Sequence, residues 1–297
     1  MKILLTGVNG QLGEELSKTC PKSYQLIKTN RKNLDLSIPE KCYQLVLEIK
    51  PDWIINSGAY TAVDNAESDK ETAYRVNADA PRGFSEALNK TGGRMLQLST
   101  DFIFSGENTK FHKTTDLPNP INYYGFSKFC GERHVLRNPK NIILRTSWVY
   151  GIKGKNFLNT ILNLNDKMIS LDKNLNIVSD QIGSPTSVKS LANICWRTID
   201  KCTSSESNPS ILHWRNSGAI SWFDFANAII DIAYENKIIR KKVKIYPIFT
   251  EDYPCPALRP KFSVLDTSST ENFLGVKTIY WRTELEKILE SHQDAIK

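Results

Sequence analysis

Lys2-Ile3-Leu4-Leu5-Thr6-Gly7-Val8-Asn9-Gly10-Gln11-Leu12-Gly13 opens the chain, and its reading decides the fold. A short apolar run predicts a buried strand over Ile3–Thr6. The glycines after it stand where a strand ends and a helix begins. There, backbone N–H groups and the helix dipole can receive a pyrophosphate. Gly7 permits a tight turn, Gly10 lets a phosphate approach the backbone, and Gly13 permits close packing of the helix. Three glycines at fixed spacing arise by chance at a rate of about 0.04 in a chain of this composition, so their position matters more than the pattern; an ordinary structural turn is the alternative.

Further runs rich in Ile, Leu and Val predict strands at Tyr24–Thr29, Trp53–Asn56, Met95–Ser99 and Asn141–Arg145. Helical stretches lie between them. Ser37 and Pro39 mark a helix start before Tyr43–Ile49, Asp69 precedes the Glu71–Tyr74 turn, and Asn122–Leu136 reads as a helix. Strands alternating with helices imply βαβ units on a parallel sheet that binds its ligands at the carboxyl ends of the strands. After about residue 150 the rhythm loosens into helices at Asn156–Leu164, Ser187–Ile199, Ser221–Tyr234 and Arg282–Leu289. Turns such as Ile182-Gly183-Ser184-Pro185-Thr186 and Pro254-Cys255-Pro256 interrupt them. The expectation is an α/β protein with a Rossmann-type doubly wound parallel sheet. Residues 1–150 form a dinucleotide-binding domain with segments returning from about 173–200, and 151–297 form mainly a smaller substrate-binding region.

Composition narrows the classes. The 297 residues are 40% hydrophobic and 24% charged, with mean hydropathy −0.37, which describes a globular chain and excludes a disordered or fibrous one. No apolar run approaches the ~20 residues of a membrane span, and Ile3–Leu5 is too short for a signal peptide, so a cytoplasmic protein is expected. Six cysteines without Cys-x-x-Cys spacing predict buried thiols rather than zinc or disulfides. The net charge of +7 is dispersed, and its densest cluster, Arg240-Lys241-Lys242-Val243-Lys244, is short. A solvated face is expected, not nucleic-acid binding.

The chemistry is read from Tyr124-Gly125-Phe126-Ser127-Lys128. Tyr-x-x-x-Lys arises by chance about once in such a chain, and Tyr24–Lys28 is a second copy. Placement separates them. On a strand, residues four apart stand ~13 Å apart, whereas on the predicted Asn122–Leu136 helix they are neighbours. A phenol that gives up a proton at cellular pH must fall from ~10 toward ~7, a change of about 4 kcal/mol. One ammonium at ~4 Å supplies about that much at an effective dielectric of ~20. Tyr124 is therefore the candidate proton donor, with Lys128 lowering its pKa; a surface Tyr beside a solvated Lys is the alternative. Ser99 or Thr100, where the fourth strand ends, is placed to hydrogen-bond a substrate carbonyl. At the end of the second strand, Thr29-Asn30-Arg31-Lys32 lacks the acidic residue of an NAD site. Its cations favour the 2′-phosphate of NADP, or form a basic surface loop.

These segments resemble the extended short-chain dehydrogenases/reductases and, within them, the rhamnose reductases. The resemblance runs over nearly the whole chain, through Ala59-Tyr60-Thr61-Ala62-Val63-Asp64, Ser99-Thr100-Asp101-Phe102, Arg145-Thr146-Ser147-Trp148-Val149-Tyr150-Gly151, Asp180–Thr186 and Arg259-Pro260. It implies that NADPH, or NADH, delivers hydride to C4 of dTDP-4-dehydro-L-rhamnose to give dTDP-L-rhamnose. By that match Thr100, Tyr124 and Lys128 are catalytic. Gly7, Asn9, Gly10, Gln11, Leu12, Gly13, Asn30, Arg31, Asp35, Leu36, Ala59, Tyr60, Thr61 and Ser99 hold the cofactor with Tyr124 and Lys128. Asp101, Phe102, Trp148, Asn156 and Arg259 hold the sugar nucleotide.

Two departures stand out. Phe102 occupies a position where many members carry Tyr. Glu15 matches one glutamate of a metal site that some members form between subunits, but Lys189 occupies another position of that site, and a cation there repels a metal. No metal is expected, and the chain is expected as a monomer or homodimer. An epimerase or dehydratase on another nucleotide sugar, and a non-catalytic subunit like that of methionine adenosyltransferase, are the competing readings. The intact Thr100, Tyr124 and Lys128 argue for catalysis.

Overall fold

A computed structural model describes residues 1–107, 109–205 and 207–296. The five predicted strands form at Lys2–Thr6 (β1), Gln25–Lys28 (β2), Trp53–Asn56 (β3), Arg94–Thr100 (β4) and Ile142–Thr146 (β5). They pair in parallel with a sixth, Ile211–His213 (β6), in the order β6-β5-β4-β3-β1-β2. Apart from the edge strand β2, the sheet is buried on both faces, so its strands read as continuous apolar runs whose alternate residues serve opposite sides. Ile3, Leu5, Ile55, Leu96, Leu98 and Leu144 pack on one side with Leu12, Leu16, Leu191, Cys195 and Ile199. Those partners come from helices Gln11–Thr19 (α1) and Val188–Ser204. Leu4, Ile54, Met95 and Ile143 pack on the other with Cys42, Val46, Phe84, Leu88 and Val135. These belong to Pro39–Ile49 (α2), Ala80–Thr91 (α3) and Tyr123–Val135 (α4).

The segment 173–200 divides between two surroundings. Leu175–Val178 pairs with Ile245–Ile248, whereas Val188–Ser204 covers the sheet and β6 lies beyond it. Phe157–Ser170 (α5), Val188–Ser204 (α6), Trp222–Glu235 (α7) and Trp281–Ile296 (α8) are the long helices after β5. Residues of α5, α7 and α8 share a second core that includes Tyr150, Ile161, Phe225, Ile229, Trp281 and Leu285. Several helix starts follow from side-chain caps. Asn122, Asn156, Ser187 and Ser221 each accept a bond from the backbone N–H three residues on, satisfying one orphan donor of the first turn. Ser37 does not cap α2, because its hydroxyl and N–H both go to Asp35. The expectation of buried thiols holds for Cys42, Cys195 and Cys202, while Cys20, Cys130 and Cys255 are partly exposed and all six are free. No helix among the described residues is long and apolar enough to cross a membrane.

Candidate active site

Strand order reverses between β1 and β3, and the loops leaving these two strands open the crevice at the carboxyl edge of the sheet. Gly7 has φ 68°, a left-handed angle that glycine adopts without cost. A Cβ at Gly13 would sit 2.2 Å from the Gly7 carbonyl oxygen, so only glycine lets α1 start this close to the loop. Gly10 is the N-cap of α1 and offers no side chain, leaving the first-turn N–H groups free for an anion. Gly58, after β3, completes the cradle: a Cβ on Gly7 would meet its Cα at 2.7 Å. Sequence reading missed Gly58; its position just after a buried strand was the available signal.

Two cavities flank this loop. One, of about 620 Å³, runs past Gly7, Asn9–Gly13, Ala59, Thr61, Ser99, Thr100, Tyr124, Lys128 and Trp148. The other, of about 430 Å³, is lined by Asn30, Arg31, Asp35, Leu36, Ala59 and Tyr60. The residues expected to hold a dinucleotide thus line one continuous path across the glycine loop. Lys32 is absent from both linings, and Arg31 is 83% exposed with Nε 3.7 Å from Asp35. The Asp35 carboxylate accepts from Ser37 N–H at 2.9 Å and Ser37 hydroxyl at 2.8 Å. These bonds and Arg31 hold it below the usual carboxylate range.

Thr100 ends β4, and Tyr124 and Lys128 stand one turn apart on α4. A Cβ at Gly125 would lie 2.1 Å from the Phe102 carbonyl oxygen, so the first turn of α4 presses directly on the segment after β4. Tyr124 packs edge-on to Phe102, with ring centroids 5.7 Å apart. The expected lowering of the Tyr124 pKa by Lys128 is not what the geometry provides. Burial pushes the phenol up to about 12, opposed by a hydrogen bond with Thr100 and reinforced by Asp101. The Lys128 ammonium donates instead to the Leu98 carbonyl at 2.6 Å. Its own burial lowers it to about 8, against the pull of Glu132. Tyr24, in the second Tyr-x-x-x-Lys, is hydrogen-bonded to Asp200 and remote from this cleft.

Asp101 is buried, which pushes its carboxyl up to about 6, opposed by bonds from Ser263 and Thr100. Thr100 Oγ1 donates to Asp101 Oδ1 at 3.1 Å, while Asp101 Oδ2, Ser99 Oγ and Thr146 Oγ1 have no hydrogen-bond partner. A cluster of orphaned polar atoms in the walls of a cleft is what a polar ligand satisfies. Behind Lys128, Glu132 accepts from Arg145 Nη2 at 2.7 Å and Nε at 3.0 Å, and Arg145 Nη1 lies 3.2 Å from His213 Nε2.

A third cavity of about 360 Å³ adjoins the first, sharing Phe102 and Trp148 with it, and is lined also by Phe157, Gln181, Trp222, Tyr253, Arg259 and Ser263. Arg259 Nη2 donates to Asp64 Oδ2 at 2.7 Å, so its guanidinium reaches the cavity already paired. Asn156, expected at the sugar nucleotide, lines none of these cavities. Its Nδ2 donates to Gln11 Oε1 at 2.7 Å and the Gly151 carbonyl at 2.8 Å, and its Oδ1 caps α5. Trp222, Gln181 and Tyr253 escaped sequence reading because they come from separate segments that only the fold brings together. Among the described residues, no three His, Cys, Asp or Glu side chains are grouped to hold a metal ion.

The family model described as "RmlD substrate binding domain" matches residues 1–294. The chain belongs to this RmlD family. Its relatives include the dTDP-4-dehydrorhamnose reductase of Aggregatibacter actinomycetemcomitans, 35% identical over 294 residues, 97% of this chain and 98% of that protein. The solved structure of a dTDP-4-dehydrorhamnose reductase from Clostridium acetobutylicum superposes with a TM-score of 0.89 at 37% identity, covering 99% of this chain and 100% of the other. That of Bacillus anthracis, in complex with NADP, superposes with a TM-score of 0.86 at 33% identity, covering 98% and 99%. The RmlD family thus extends over both the sheet and the second core.

Proposed function

We propose that the protein is a dTDP-4-dehydrorhamnose reductase that uses NADPH to convert dTDP-4-dehydro-L-rhamnose to dTDP-L-rhamnose. One observation carries the reading: Thr100, Tyr124 and Lys128 share a single cleft with the glycine loop, at the point where the strand order reverses. The cradle of Gly7, Gly10, Gly13 and Gly58, the uncapped first turn of α1 and the orphaned Ser99 hydroxyl suit a dinucleotide. NADPH, when bound, supplies the hydride. Asn30, Arg31, Asp35, Leu36 and Tyr60 hold its adenosine half, and exposed Arg31 turns from Asp35 toward a 2′-phosphate.

Everything else falls to side chains of this chain. Tyr124, protonated at neutral pH, donates its phenolic proton to the C4 oxygen, and Thr100 orients that oxygen by a hydrogen bond once its hydroxyl turns from Asp101 toward it. Lys128, held by the Leu98 carbonyl, keeps a positive charge beside the developing alkoxide. Asp101, Phe102 and Trp148 line the path of the sugar, and Arg259 meets the diphosphate from the third cavity. Asn156 acts at one remove, by fixing Gln11 of the glycine loop. On this reading residues 1–150, with α6 and β6, carry the cofactor and the rest of 151–297 mainly carries the sugar nucleotide. The enzyme then works in the cytoplasm as a monomer or homodimer.

The test is loss of reduced-nicotinamide absorbance in the presence of dTDP-4-dehydro-L-rhamnose. One reduced nicotinamide is expected to be consumed per sugar; no consumption by folded protein that binds NADPH refutes the reading. An epimerase or dehydratase that recycles its nucleotide gives turnover without net consumption.

A further inference from the structure

Gly183 ends the two-residue strand Ile182–Gly183. It pairs antiparallel with Ile220, and its φ lies outside the left-handed region, so its backbone accepts any residue. Glycine in a strand often marks a place where another group approaches closely. Here the close approach is an indole. A Cβ on Gly183 would stand 2.4 Å from Trp148 Cε2 and 2.6 Å from both Cζ2 and Nε1. The nearest atom is bonded to the other two, so the approach is onto the face of the ring rather than its edge. The other face carries Trp222, stacked at 3.4 Å between centroids and 7° between planes, and Trp222 in turn leans on Phe157 at 4.5 Å.

Trp148 has little room to escape. Its φ of 46° is left-handed, a conformation that a bulky residue keeps only when its surroundings enforce it. Thr186 N–H donates to its carbonyl at 3.1 Å, and its neighbour Val149 pairs with Thr186. The same short segment therefore holds the Trp148 backbone and supplies the bare surface against which the ring lies. Trp148 and Phe102 are the residues common to the cleft of Tyr124 and the cavity of Arg259.

We propose that Gly183 is a positioning residue for the sugar nucleotide: by lacking a side chain it seats the Trp148 indole against Trp222 and so sets the passage between the two cavities. This rests on the reductase reading for its substrate, but not for its geometry. Any side chain at 183 pushes the indole slab, Trp148 with Trp222 and Phe157, toward the cavity that must take the ligand. Trp148 itself touches the ligand in this picture; Gly183 acts only through it.

The test is a coupling cycle of Gly183→Ala and Trp148→Phe with two readouts. Stacked indoles give an exciton couplet in circular dichroism, and Gly183→Ala is expected to abolish it while NADPH affinity stays within about twofold of the parent. With dTDP-4-dehydro-L-rhamnose, Gly183→Ala is expected to raise KM about tenfold with a smaller change in kcat, the size of effect overpacking produces. In the Trp148→Phe background, where the ring atoms in conflict are gone, the same substitution is expected to change KM less than twofold. An unchanged couplet, or an equal KM effect in both backgrounds, overturns the proposal. Should Gly183→Ala fail to fold, the double variant is expected to fold and bind NADPH, and its failure overturns the proposal too. If the substrate reading is wrong, no variant turns over this sugar, yet the couplet still reports on Gly183.

Discussion

The Lys128 ammonium donates to the Leu98 carbonyl at 2.6 Å, which holds the cation between α4 and β4 instead of pairing it with the Tyr124 phenol. Because burial brings Lys128 down to about 8, the charge is present below that pH and lost above it. We expect kcat/KM for reduction to fall as pH rises through about 8, far below the titration of Tyr124 near 12. Lys128→Met is expected to flatten that limb at low residual activity. A profile that stays level to pH ~10 removes the ammonium from the reaction.

Tyr124→Phe removes only the phenolic hydroxyl, whose ring packs against Phe102. Reduction is expected to drop at least ~100-fold with NADPH affinity and melting temperature near those of the parent. Turnover at the parental rate would show that another group delivers the proton.

Asp101 sits buried with one carboxyl oxygen unpaired, and its folded pKa of about 6 lies above the ordinary aspartate value of 3.8. The folded state therefore binds the proton more tightly, so stability from this group is full below the unfolded value and lost as pH rises through about 6. Asp101→Asn is expected to raise thermal stability at pH ~7.5, by no more than roughly 3 kcal/mol. Its advantage should shrink as pH falls toward ~4. An advantage independent of pH would show that the carboxylate is not the cause.

Glu132 and Arg145 form a buried pair behind the site, each side chain 2% exposed. Glu132→Gln leaves the guanidinium with a neutral partner beside His213, itself held uncharged by burial and by Arg145, with its pKa down at about 3. A loss of about 3–5 kcal/mol is expected in denaturant unfolding. A loss below ~1 kcal/mol would mean that solvent reaches the pair.

Asn156→Ala is expected to cost about 1 kcal/mol from the lost cap of α5 and to weaken NADPH binding, because the amide that steadies Gln11 at 2.7 Å goes with it. Asn156→Asp retains the cap acceptor but loses the donor to Gln11. It should recover the stability and not the affinity, as titration calorimetry can show.

The sheet was legible because its signals are local. Five of its strands announce themselves as apolar runs, since a strand buried on both faces needs no partner's help to look apolar. The sixth, Ile211–His213, has three residues and no periodicity to read, and only its pairing with β5 identifies it. Gly7 and Gly13 were readable from residue type, because the steric demands they meet lie within a few residues. Trp222 against Trp148 was not, because a stack between residues 74 positions apart in sequence leaves no local trace.

By itself, then, the sequence determined the parallel sheet, the dinucleotide loop and the one-turn spacing of Tyr124 and Lys128, since each follows from backbone geometry over a few residues. Tertiary structure alone decided the charge behaviour of that pair. Burial raises the phenol and lowers the ammonium, and the Leu98 carbonyl accepts from the ammonium that spacing had placed beside Tyr124. Solvent exclusion and long-range contacts set these energies, and neither is encoded in spacing along the chain.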